Sequence, residues 1–110
     1  MQIQFESSGP VAAGMRDIAQ RRVKFTMRRV SWLIPRAIVR LTDKDHIQSG
    51  PDKCCRIELV SQLSGLVVVT SHAKTWRSAI DQALLRAAKI IRRDLERVRS
   101  PLHDRILTHS

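Results

Sequence analysis

Four short stretches in which apolar and polar residues alternate, and two longer ones in which apolar residues recur at steps of three and four, predict an α+β domain. The order is β-α-β-β-β-α, read as a four-stranded mixed sheet with two helices packed on one face. The polar outer positions Gln2, Gln4, Arg40, Arg56 and Glu58 leave one sheet face to water, so both helices share the other. A chain of 110 residues holds one such core and is too short for two. The domain is expected to span 1–99, with 100–110 as a flexible tail.

The first strand is predicted over 1–6, where Ile3 and Phe5 face one way and Gln2, Gln4 and Glu6 the other. Ser7, Ser8, Gly9 and Pro10 then break it and supply helix-start chemistry. A helix is expected over about 11–29, its stripe formed by Met15, Ala19, Val23 and Met27, although Gly14 and Thr26 weaken it locally. Residues 31–35 turn the chain into a second strand, 36–42, with Ala37, Val39 and Leu41 inward. Trp32 in that turn reads as a packed loop aromatic rather than a base-stacking platform. With 4% aromatic residues and no tyrosine, the chain carries little stacking equipment, and recognition is expected to be of phosphate and shape.

Residues 43–53 are polar, hold Gly50 and Pro51, and read as a hairpin loop. The third strand, 54–60, points Cys55, Ile57 and Leu59 inward. After a turn at 62–65 comes a fourth, 66–71, whose unbroken apolar run predicts a central, well-buried place in the sheet. The last helix, 75–99, carries Trp76, Ile80, Ala83, Ala87, Ile91, Leu95 and Val98 along one stripe. Thr75 is suited to cap it, and Ser100 with Pro101 to stop it.

Twenty Lys and Arg against ten Asp and Glu give a net charge of +10, which opposes folding by self-repulsion and points to a polyanionic partner. On the first helix Arg16, Arg21, Arg22, Lys24, Arg28 and Arg29 form one cationic group. On the last, Arg86, Lys89, Arg93 and Arg97 recur at steps of three and four, a row able to follow phosphates, while Arg92 and Arg99 fall on the opposite flank. Two such helices side by side make one positive surface. No apolar run reaches the roughly 18 residues of a membrane span, and the N-terminus lacks a signal-peptide layout, so a cytoplasmic protein with no membrane partner is expected. The only cysteines, Cys54 and Cys55, are adjacent, which fits a reducing compartment.

Catalysis is not expected. Cys54 or Cys55 with His46 or His72 lacks a third orienting group, and there is no Gly-rich phosphate loop or paired-carboxylate motif; hence no cofactor and no small-molecule substrate. Asp43, Asp45 and Asp52 lack the terminal glutamate of a calcium loop, and the histidines at 46, 72, 103 and 109 are scattered, so no metal is expected.

The run RRVKFTMRRVSWLIPRAIVRLTD over 21–43, the DKCC segment over 52–55 and the AID triplet over 79–81 resemble the ribosome hibernation-promoting factor family, also called ribosome-associated inhibitor A or sigma-54 modulation protein. The resemblance spans 1–99 and rests on several matches in order rather than on one diagnostic motif. It implies a short-form member, without the C-terminal domain that pairs ribosomes in long members. It also implies binding to ribosomal RNA of the small subunit, in the channel of messenger and transfer RNA, with translation blocked under stress. The residues it implies as contacts, by their place on the helices, are Arg21, Arg22, Lys24, Arg28, Arg29, Arg86, Lys89, Arg93 and Arg97. The loop at 44–48 lacks the Asn-Gly turn of many relatives, and the 102–110 tail has no counterpart. The rival reading is a double-stranded RNA module, whose αβββα order is contained here. Lys74, Thr75, Trp76 and Arg77 lack the lysine cluster such modules present to phosphates.

Overall fold

The computed structural model describes residues 1–9, 11, 13–43 and 53–99. The expected order is found: β1 (Gln2–Ser8), α1 (Met15–Thr26), a 3-10 turn (Ser31–Leu33), β2 (Arg36–Asp43), β3 (Lys53–Ser61), β4 (Gly65–Ala73) and α2 (Trp76–Arg99). Residues 44–52 of the predicted hairpin loop and the 100–110 tail lie outside the described residues, as do Pro10 and Ala12. In the sheet, β1 runs parallel to β2, and β3 and β4 follow antiparallel, in spatial order β1-β2-β3-β4. The parallel pair obliges α1 to cross over the sheet between its two strands.

Inward positions follow the predicted alternation. Ala37, Val39 and Leu41 of β2 and Cys55, Ile57 and Leu59 of β3 are fully buried. Against them lie Ala19, Val23 and Met27 of α1 and Ile80, Ala83, Leu84, Ala87 and Ile91 of α2. Helix α2 covers β3 and β4, while α1 packs against α2 and β1. Ser71 is the buried hydroxyl of this interface, and it donates to the Ala79 carbonyl, tying β4 to the start of α2. Thr75 caps α2 as expected, its Oγ1 accepting from the Ser78 amide at 3.1 Å.

Three expectations are corrected. Strand β4 is an edge rather than a central strand: its apolar run faces the core only at every second residue, so Val67 and Val69 are buried while Leu66 and Val68 are exposed. Helix α1 begins at Met15 rather than near residue 11, because Gly14 has φ +82°, a left-handed conformation that cannot continue a helix backwards. It ends at Thr26 rather than Arg29. Val30 donates to the Met27 carbonyl at 2.9 Å, and the chain turns there, leaving Arg28 and Arg29 on a corner instead of a helical face.

Val98, assigned to the apolar stripe of α2, is exposed, and Leu95 is half-buried. Length explains both: a helix of 24 residues reaches about 36 Å, whereas strands of 9 residues reach about 30 Å. The last turns of α2 overrun the sheet.

The far face of the sheet is open. Arg40 bridges Glu6, at 2.6 Å, and Glu58, and Arg36 donates to Gln4 at 2.6 Å, so these cations are engaged with neighbours on their own sheet.

Candidate nucleic-acid interface

The groove between α1 and α2 is where the two cationic groups meet. At 100° per residue, Arg77, Asp81, Ala88, Arg92, Leu95 and Arg99 share the flank of α2 that faces α1. Ala88 is buried where the end of α1 approaches, and a small side chain there lets the helices close. Arg22 spans the groove to Asp81 at 2.8 Å. With both side chains about a third exposed, the pair contributes at most about 1 kcal/mol, and its main effect is to fix the register of one helix against the other.

Arginines gather at both ends of this groove. Near the start of α2, Arg21, Arg22 and Arg77 surround a hollow of about 240 Å³. Toward its end, Arg28 and Arg29 from the corner after α1 meet Arg92 across a hollow of about 300 Å³, closed by Thr26, Val30 and Ala88. Arg29 and Arg92 border a further recess with Arg99, beside Glu96. Lys89 and Arg93 join Arg92 on the outer crest of α2.

The predicted site residues are thus not equivalent. Arg28, Arg29, Lys89 and Arg93 join one surface around Arg92, and Arg21 and Arg22 join its other end. Lys24 stands exposed on α1. Arg86 turns the other way, donating to the Thr70 carbonyl of β4 at 3.2 Å, so it borders the sheet edge and not the groove. Arg97 is the same side's last member, 3.4 Å from Asp94. The sequence reading places Arg92 and Arg99 on the opposite flank and does not count them, or Arg77, among the contacts. The signal for them was Ala88, which shares their flank and is small enough to admit a neighbouring helix.

The nucleophile candidates are placed badly for catalysis. Adjacent residues of a strand point to opposite faces, so Cys55 lies in the core and Cys54 lies across from His72 on the other face. Burial pushes the Cys55 thiol up to about 12, helped by its neighbour Cys54, the reverse of the depressed pKa a reactive thiolate needs. Among the described residues no group of three or more His, Cys, Asp and Glu could hold a metal. No helix among the described residues is long and apolar enough to cross a membrane.

The class these features define is an α+β domain with a basic interhelical face. Among solved structures it is similar to the N-terminal domain of Protein Y from Thermus thermophilus, with 20% identity over 84% of this chain and 98% of that one, at a TM-score of 0.64. It is likewise similar to a ribosomal subunit interface protein from Coxiella burnetii, with 9% identity over 84% of this chain and 96% of that one, at a TM-score of 0.66. These likenesses establish a shared fold and, at that level, support the resemblance to the hibernation-promoting factor family. No family model matches the sequence, and no curated protein does.

Proposed function

We propose that this chain is a ribosome-associated inhibitor of translation that lays its α1–α2 face on RNA of the small subunit and fills the channel used by messenger and transfer RNA. One observation carries this reading. Arg28 and Arg29 from one helix end and Arg92 from the other helix converge on a single exposed surface, while the arginines of the open sheet face are engaged with Glu6, Glu58 and Gln4. The shared fold with a ribosomal subunit interface protein supports the choice of RNA over other polyanions.

The mechanism requires no catalytic residue. Several charge-assisted contacts to phosphate orient a rigid two-helix face, and the sheet behind it supplies the bulk that excludes competing RNAs. The setting of such an activity is the cytoplasm, and neither cofactor nor small-molecule substrate takes part.

Steric occupation makes a specific kinetic prediction. Purified protein added to a cell-free translation system before messenger and initiator transfer RNA is expected to block synthesis, whereas ribosomes already loaded with both should resist it. Equal inhibition in either order, or none, would contradict occupation of the channel. Binding to an isolated RNA duplex as tight as to ribosomes would favour a general structured-RNA module instead.

A further inference from the structure

The chain has two Phe and two Trp, and no Tyr. Phe5 and Trp76 serve the core, Trp76 being 7% exposed. The other two do not. Phe25 is 59% exposed and Trp32 is 62% exposed, and they bracket Arg28 and Arg29 on the corner between α1 and β2. Trp32 therefore does not fill the packed position that its sequence context predicts. Large rings left in water forgo hydrophobic stabilisation, so half of the chain's aromatic residues displayed beside its arginine hollow call for a ligand with a flat face.

The local geometry is set for that. The Trp32 indole Nε1–H donates to the Arg29 carbonyl at 3.2 Å, so the ring is tethered to the residue whose guanidinium lines the hollow. The tether stands on a 3-10 turn closed by Leu33 and Ile34 amides donating to the Val30 and Ser31 carbonyls. The ordering cost of the indole is thus already met in the free protein. Beside it, the Arg28 guanidinium lies 4.2 Å from the Phe25 ring centre and donates to the Phe25 carbonyl at 2.7 Å, a held cation over an aromatic face. None of the described residues lining the hollow between Arg28, Arg29 and Arg92 is acidic, so an anion entering it meets no opposing charge there.

We propose that this corner takes an unpaired nucleotide of RNA: the base stacks on Trp32, and its phosphate enters the hollow of Arg28, Arg29 and Arg92. Stacking faces are available in loops and single strands and closed off inside a duplex, so the corner selects unpaired over paired RNA. The inference rests on the reading that the basic face binds RNA and adds to it a base-contacting element and a preference. A lipid surface is the weaker fit, because two rings separated by two arginines do not make a continuous apolar face.

The test uses the full chain and two RNAs with the same number of phosphates, a 5′-phosphorylated unpaired strand of twenty-four nucleotides and a duplex of two 5′-phosphorylated twelve-nucleotide strands, at about 150 mM salt so that long-range attraction is screened. Affinity is read from the anisotropy of labelled RNA, and stacking from intrinsic tryptophan fluorescence. Saturating unpaired RNA is expected to quench the wild-type emission. Trp32→Phe, which leaves the buried Trp76 as sole emitter, should show no quenching yet keep its affinity within about threefold, because a ring remains. Trp32→Ala should lose about tenfold for the unpaired strand and less than twofold for the duplex. Both substitutions are at an exposed site, and circular dichroism confirms the fold. Binding without quenching, or equal losses for the two RNAs, overturns the stacking site alone. No binding of either RNA overturns this site as well, while the ribosomal reading is decided separately by sedimentation with small subunits.

Discussion

Reversing Arg29 and Arg92 together is expected to weaken binding to small ribosomal subunits by at least about a hundredfold, from the loss of two charge-assisted contacts at no less than about 1.5 kcal/mol each. The two residues come from different helices and border the same hollow, so their reversal places like charge where phosphate is drawn in. The matched control is Arg36→Glu with Arg56→Glu on the open sheet face, an identical change in net charge. Arg40 is unsuitable as a control, since it bridges Glu6 and Glu58 at once and a glutamate there would disturb the sheet itself, whereas Arg56 is more exposed and pairs only loosely with Glu58 at 3.7 Å. The control pair is expected to cost less than fivefold, the long-range share alone. Arg86→Glu with Arg93→Glu should fall between the two, because Arg93 stands on the crest shared with Arg92 while Arg86 is turned to the Thr70 carbonyl. Filter binding of the three variants at one salt concentration decides the order. Equal losses in all three would mean that total charge, and not this groove, does the binding.

Leu84→Ala is expected to be among the most destabilising single truncations, at about 2–5 kcal/mol. Leu84 is fully buried on α2, in the cluster that includes Ile57, Leu59 and Ile80, where a cavity would be hard to close. Its neighbour Leu85 is exposed, and Leu85→Ala should stay within about 0.5 kcal/mol. Urea melts of the two variants test which way the helix faces, since a rotation of one residue would exchange their effects. Single domains are only marginally stable, so a loss of this size should leave much of the Leu84→Ala protein unfolded at 37 °C.

The fold was largely legible because each element carries its period openly. Ala37, Val39 and Leu41, then Cys55, Ile57 and Leu59, show strict alternation, and the α2 stripe recurs at helical steps; both are local properties of the chain. What could not be read depends on neighbours. The run from Leu66 to Val69 looks the same whether a strand is central or at an edge; β4 pairs with β3 alone, and it is the open far face of the sheet that exposes Leu66 and Val68. Gly14 looks in the sequence like a weak spot inside a helix, whereas its positive φ makes it the boundary.

The candidate site was legible as a composition and much less so as a place. Arg86, Lys89, Arg93 and Arg97 form the more regular row along the chain, yet the flank facing α1 belongs to Arg92 and its companions. Choosing between flanks requires knowing on which side α1 lies, information held in the sheet order and the crossover rather than in α2. Trp32 departs from expectation for a similar reason: a loop aromatic is buried only if something covers it, and here the 3-10 turn carries it outward.

Sedimentation of the purified chain with small ribosomal subunits through sucrose, from 50 to 200 mM salt, bears most directly on the basic face as an RNA-docking surface. The expected result is comigration at low salt that declines about a thousandfold in affinity across that range if about six phosphates are engaged. A protein that stays at the top of the gradient at 50 mM salt, where attraction to phosphate is strongest, would contradict it.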